Sequence, residues 1–198
     1  MLIGKHIVLE EIAPESIEQM RVWRNDPNLR QFFRCYKDIS IEQQCSWYNT
    51  RGNNSDKEHV YFQIMSKSPN TDNESESINN RYLIGCCNLS YIDYRMRSAE
   101  FGIYLSPSEH GQGKGKDSLI LMFDWGFKEL NLHKIWAECY DNNDSLGLYH
   151  HIGFKDDGLL RDNYFHNGKY GNSHMLSMLE NEWIDKYGKD PLWKLTSK

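Results

Sequence analysis

Ala99-Glu100-Phe101-Gly102-Ile103-Tyr104-Leu105 runs into Ser106-Pro107-Ser108-Glu109-His110-Gly111-Gln112-Gly113-Lys114-Gly115. The first seven residues read as a strand. Beyond the loop, Leu119, Ile120, Phe123, Phe127 and Leu130 recur at helical spacing, which predicts a strand–glycine loop–helix unit. Glycines let several backbone N–H groups face one space at the positive end of a helix, an arrangement that suits a pyrophosphate. Two common phosphate fingerprints fail here. Lys116 stands where G-x-G-x-x-G needs its third glycine, and only three residues separate Gly111 from Gly115, with Asp117 after Lys116, which breaks G-x-x-x-x-G-K-[ST].

Upstream, Ile7 to Ile12 reads as a strand and Pro14 to Arg24 as a helix with Ile17, Met20 and Trp23 on one face. Ser40 and Gln43 form a capping box for a second helix expected to bury Ile41, Cys45 and Tyr48. Strands follow at His59–Met65 and Tyr82–Tyr91, joined by a polar stretch, 66–81, read as an exposed loop insertion. Downstream come a strand at Lys134–Tyr140, a helix from Asn142 to His151 ended by Gly153, and strands at Phe154–Leu160 and Met175–Leu179. The expected architecture is α/β with a mixed sheet: one domain over 1–180 and a C-terminal extension over 181–198.

Composition narrows the function. The chain has 198 residues, 39% hydrophobic and 26% charged, with net charge −5. That is long enough for a core without disulfides, and too acidic for a general nucleic-acid binder. With no long apolar stretch and no signal pattern, a soluble cytoplasmic protein without membrane contact is expected. The five cysteines are an odd number without C-x-x-C, which fits a reducing compartment. Cys86 and Cys87 should point to opposite faces of a strand. The eight histidines show no metal spacing, so no metal is expected.

Further motifs stand in order around the loop. Arg97-Ser98-Ala99-Glu100-Phe101 precedes it, then come Asn131-Leu132-His133-Lys134-Ile135, Asn142-x-x-Ser145-x-x-Leu148-Tyr149-x-x-x-Gly153-Phe154, and Gly158 to Tyr170. The series, from about Leu83 to Leu179, resembles the GNAT superfamily of acetyl-CoA-dependent N-acetyltransferases. The resemblance implies a GNAT fold, a central mixed, splayed sheet with helices on both faces. Acetyl-CoA would be the co-substrate, with the backbone of Ile103, Tyr104 and Leu105 on its pantetheine arm. The amides of Gly111, Gln112, Gly113, Lys114, Gly115 and Lys116 would hold its pyrophosphate. His110 occupies a place where the family usually has Arg or Gln.

The same resemblance implies roles for further residues. Tyr149 would be the general acid beside the sulfur, and Asn142 and Ser145 would lie on the cofactor side. Glu100 would be the base, with Glu138 in reserve. No cysteine stands in a nucleophile constellation, so direct attack of a neutral amine is expected. Tyr91, Tyr104, Trp136 and Tyr140 are candidates for the acceptor cleft. Trp23, Arg24, Asn25 and Arg30, with Arg34 and Lys37 nearby, resemble members acting on nucleotide-linked amino sugars, and arginines suit phosphate oxygens. The expected acceptor is therefore a small-molecule amine, first a nucleotide-linked 4-amino-6-deoxy sugar. Polyamines and ribosomal-protein N-termini are alternatives, and a non-catalytic acyl-CoA binder is the rival of another class. A homodimer is compatible with the superfamily.

Overall fold

The computed structural model describes residues 1–68 and 73–195. The chain opens with β1 (Leu2–Ile3) and β2 (Ile7–Glu10), then three helices, α1 (Ile17–Asn25), α2 (Pro27–Arg30) and α3 (Ile41–Trp47). Next come β3 (Val60–Ser66), α4 (Glu74–Asn79), β4 (Tyr82–Asp93) and β5 (Ser98–Leu105). The glycine loop leads into α5 (Lys114–Lys128), β6 (Lys134–Tyr140) and α6 (Ser145–Ile152). The hairpin β7 (Lys155–His166) and β8 (Lys169–Leu179), α7 (Glu180–Tyr187) and β9 (Lys194–Leu195) complete it.

Among the described residues the strands form one sheet in the order β7-β8-β6-β5-β4-β3-β2-β1-β9. All neighbours are antiparallel except β5 and β6, which need the crossover that α5 supplies. The two faces bury different sets. Leu119, Met122, Phe123 and Phe127 of α5 pack with Cys87, Leu89 and Phe101 on one face, whereas Met20 of α1 packs with Ile12 and Cys86 on the other. Adjacent Cys86 and Cys87 thus face opposite sides, as strand alternation requires.

Several elements differ from the sequence reading. Ser40 and Gln43 do form the capping box, but α3 buries Gln44 and leaves Ile41 51% exposed. Its packed side runs through Trp47 and Tyr48, which join the Ile12–Met20–Cys86 cluster, and this turns Ile41 outward. The 66–81 insertion carries α4, capped by Asn73 and tied back by the Ser77 hydroxyl donating to the Ser68 carbonyl at 2.6 Å; residues 69–72 of that reading lie outside the described residues. β7 and β8 are longer than expected because Asn167 (φ 48°) and Gly168 (φ 77°) make a tight two-residue turn. In the 181–195 part of the extension, fully buried Trp183 donates to Asp124 at 2.7 Å. Asp124 also accepts from the Leu192 amide and pairs with Lys128, so this buried carboxylate is neutralised and holds the extension onto α5.

Candidate active site

β5 and β6 pair only at Ser98–Lys134, Ala99–Ile135 and Glu100–Trp136. Beyond that point β5 continues to Leu105, still paired with β4, and β6 continues to Tyr140, still paired with β8. The two strands therefore part into a wedge, and the β6-facing backbone edge of Phe101–Leu105 is free of sheet partners. A cavity of about 380 Å³ occupies this region. Its walls include Ile103 and Tyr104 of β5, Ala137 to Tyr140 of β6, Tyr149 of α6, and Phe33 and Arg34 from the α2–α3 connection.

The glycine turn follows β5. Gly111 (φ 74°) and Gly113 (φ 77°) adopt the left-handed conformation, which side chains disfavour, and Gly113 caps α5. The first intrahelical bond runs from the Asp117 amide to the Gly113 carbonyl at 3.1 Å, so the amides of Lys114, Gly115 and Lys116 precede it and point out of the helix. Side chains around the turn are engaged elsewhere. His110 Nε2 lies 3.2 Å from the Leu105 carbonyl oxygen, and Gln112 donates to the Ser108 carbonyl at 2.9 Å. Lys114 pairs with Glu109 and reaches Tyr82, while Lys116 Nζ lies 2.8 Å from His151 Nε2. What the turn offers an anion is its backbone and the helix dipole.

Tyr149 projects from α6 into the wedge and is 8% exposed, its ring edge-on to Phe101 at 5.0 Å. Burial pushes its phenol well above the ordinary tyrosine range; the neighbouring Cys139 adds to this and a hydrogen bond with Ser145 offsets a part. The hydroxyl is thus a protonated donor at neutral pH. At the entry to α6 the two neighbouring asparagines are placed differently. Asn142 is exposed, whereas Asn143 lines the cavity, its Oδ1 accepting from the Ser145 amide at 2.9 Å. Burial also pushes the Cys86 thiol to about 12 and Cys139 to about 11, so neither is a thiolate at neutral pH.

Glu100 and Glu138, from adjacent strands, converge on one cation. Arg34 Nη2 donates to Glu100 Oε1 at 2.6 Å and to Glu138 Oε2 at 2.9 Å, and Nη1 donates to Glu100 Oε2 at 3.1 Å. Glu138 Oε1 accepts from Asn163 at 2.7 Å; Asn163 sits in an irregular stretch of β7, where the pairing shifts between Leu160 and Tyr164. Burial alone would raise the Glu138 carboxyl, but hydrogen bonds from Ser173, Arg34 and Asn163 outweigh it and hold its pKa below the ordinary 4.5. The carboxylates in turn hold Arg34 above the usual arginine value.

The basic cluster near the N-terminus does not assemble as a phosphate grip. Arg30 turns to Asp38, and Arg34 is engaged by carboxylates. The Asn25 amide is used at both ends on the Ile39 backbone, at 2.9 and 2.8 Å. Trp23 is absent from the cavity wall, as is Trp136, although the latter shares a strand with Glu138. Arg24 does line the cavity, lying 6.0 Å over the Trp47 ring, and so does Tyr91, held at φ 52° by the bulge in β4. Among the described residues no group of three or more His, Cys, Asp or Glu side chains is placed to hold a metal, and no helix is long and apolar enough to cross a membrane.

Three comparisons bear on this arrangement. The family model described as acetyltransferase (GNAT) domain matches residues 6–155. Spermidine N(1)-acetyltransferase of Vibrio cholerae is 33% identical over 105 residues, 52% of this chain and 61% of that protein, so the match spans less than two thirds of that relative's length. The prophage-derived uncharacterized N-acetyltransferase YokL of Bacillus subtilis is 27% identical over 188 residues, covering 93% of this chain and 96% of its own. The crystal structure of the Vibrio cholerae spermidine N-acetyltransferase with CoA and spermine superposes with TM-score 0.77, over 90% of this chain and 98% of that one. Its 24% identity makes that a likeness of fold.

Proposed function

The chain belongs to the GNAT acetyltransferase family, and on that premise we propose that it transfers the acetyl group of acetyl-CoA directly to a primary amine of a polyamine-like cation. The observation that carries this reading is the pair of carboxylates, Glu100 and Glu138, meeting on one cation beside the point where β5 and β6 begin to part. The same two negative charges attract an alkylammonium, which approaches as a compact point charge rather than a bidentate fork.

Each group then has a task. An alkylamine titrates near ~10.4 and must lose a proton before attack. Glu100 or Glu138 accepts it, directly or through water. The amine nitrogen adds to the thioester carbonyl, the C–S bond breaks, and Tyr149 protonates the departing thiolate; the second amine proton, lost as the amide forms, returns to the Tyr149 phenolate through water. Free amides along Phe101–Leu105 take the pantetheine arm and the developing oxyanion. The amides of Gly111–Lys116 take the pyrophosphate. The raised thiols of Cys86 and Cys139 support direct attack over an acyl-cysteine route. Residues 1–180 form the catalytic domain in this reading, with 181–198 as its extension.

The polyamine acceptor replaces the nucleotide-linked amino sugar as first choice, because two of the arginines meant for phosphate are neutralised by acids. A second reading keeps an anionic acceptor and rests on Arg24, whose guanidinium lines the cavity over Trp47. Product masses decide between them. With acetyl-CoA and equal concentrations of spermidine, a nucleotide-linked amino sugar and a short N-terminal peptide, monoacetylspermidine is the expected main product. Acetylation of the sugar alone refutes the polyamine reading in favour of the second.

A further inference from the structure

We propose that Arg34 is an internal stand-in for the acceptor's ammonium, a latch that a cationic acceptor displaces to reach Glu100 and Glu138. The proposal rests on the amine-acceptor reading above and extends it to how the acceptor enters. Three observations carry it.

First, the guanidinium takes three of the four oxygens of the acid pair, the fourth accepting from Asn163. Nε, Nη1 and Nη2 all point at Glu100 or Glu138, at 2.6 to 3.3 Å. An ammonium and this guanidinium cannot occupy the same oxygens together. Second, the fixed and movable parts differ in burial. The side chains of Glu100 and Glu138 are 11% and 13% exposed, whereas that of Arg34 is 54% exposed, so the cation lies on the solvent side of the acids. Third, the residues from Arg34 to Asp38 are exposed and belong to no helix or strand, while both ends of this strap are anchored. At one end Phe33 packs edge-on against Tyr104 at 5.6 Å; at the other, Asn25 and Arg21 hold the Ile39 backbone. The strap can lift between these anchors while the rest of the fold stays in place.

Such a latch taxes acceptor affinity by the fraction of molecules in which it is open. Removing it therefore tightens binding, the reverse of what loss of a substrate contact or of local structure would do. The test is calorimetric titration of spermidine into the full chain saturated with CoA, for wild type, Arg34→Ala and Arg34→Gln, beside steady-state kinetics with acetyl-CoA. Both variants are expected to bind spermidine about tenfold more tightly, with KM falling by a like factor. Unchanged or weaker binding in both variants overturns the latch, and so does absence of binding heat in all three proteins. Tighter binding without acetyl transfer by any of them upholds the latch and refutes the proposed acceptor class instead.

Discussion

The glycine turn at 111–115 and the strap at 34–38 are both loops, yet opposite physics holds them. The turn is fixed by its own backbone: two left-handed glycines and a helix start, with every determinant inside one short stretch. The strap reaches its partner through one side chain, across 66 residues of sequence, and that contact is a charge pair with a half-exposed member. A backbone-built site has one shape and suits an invariant group such as a pyrophosphate. A side-chain-built site can be remade by a few substitutions, and suits the variable half of a reaction.

The largest effect should come from the group between these two regions. Tyr149→Phe removes the proposed proton donor while keeping the ring against Phe101, and should lower kcat about 100-fold with acetyl-CoA affinity within about twofold. Equal losses in both would make Tyr149 a packing residue. On the backbone side, Gly113→Val finds open space around its Cβ but a φ of 77° that a β-branched residue resists. At a cost of about 1–2 kcal/mol for the left-handed conformation, acetyl-CoA should bind about tenfold more weakly, with the acceptor's KM little changed. A calorimetric Kd equal to wild type would mean the turn is not part of the cofactor seat.

On the side-chain side, Glu138→Gln should raise the acceptor's KM about fivefold and leave acetyl-CoA binding alone. The reverse pattern would place Glu138 with the cofactor. The smallest effect is in stability against pH. Glu138 is held below its ordinary 4.5 in part by Arg34, so its contribution is present above pH 4.5 and fades as pH falls through the lower folded value. The melting-temperature gap between wild type and Arg34→Ala, a degree or two, should be widest above pH 4.5 and close below it. A gap that widens on acidification would assign the pairing the wrong sign.

The same contrast explains what could be read in the sequence. The strand–turn–helix unit, the capping box at Ser40 and the opposite faces of Cys86 and Cys87 all follow from local rules of spacing and dihedral preference. The α3 burial face does not, because Ile41, Cys45 and Tyr48 form a plausible stripe until Trp47 and Tyr48 meet the Met20 cluster. Asn143 rather than Asn142 lines the cavity, a choice between adjacent asparagines that no spacing rule makes. The Asn167-Gly168 turn carried a usable signal, since that dipeptide favours the tight hairpin that lengthens β7 and β8. Nothing local marks Arg34 as the partner of Glu100 and Glu138. Sequence showed a basic cluster, and only the fold decides that it answers acids rather than phosphate.

The claim on which all of this stands is that the parted β5–β6 strands form the acetyl-CoA seat. Backbone amide exchange, followed residue by residue by NMR with and without acetyl-CoA, tests it directly. The account predicts new protection at amides within Phe101–Leu105 that face β6, together with the amides of Gly113–Lys116, and little change in the paired stretch Ser98–Glu100. Exchange along Phe101–Leu105 that stays the same when acetyl-CoA is bound would contradict it.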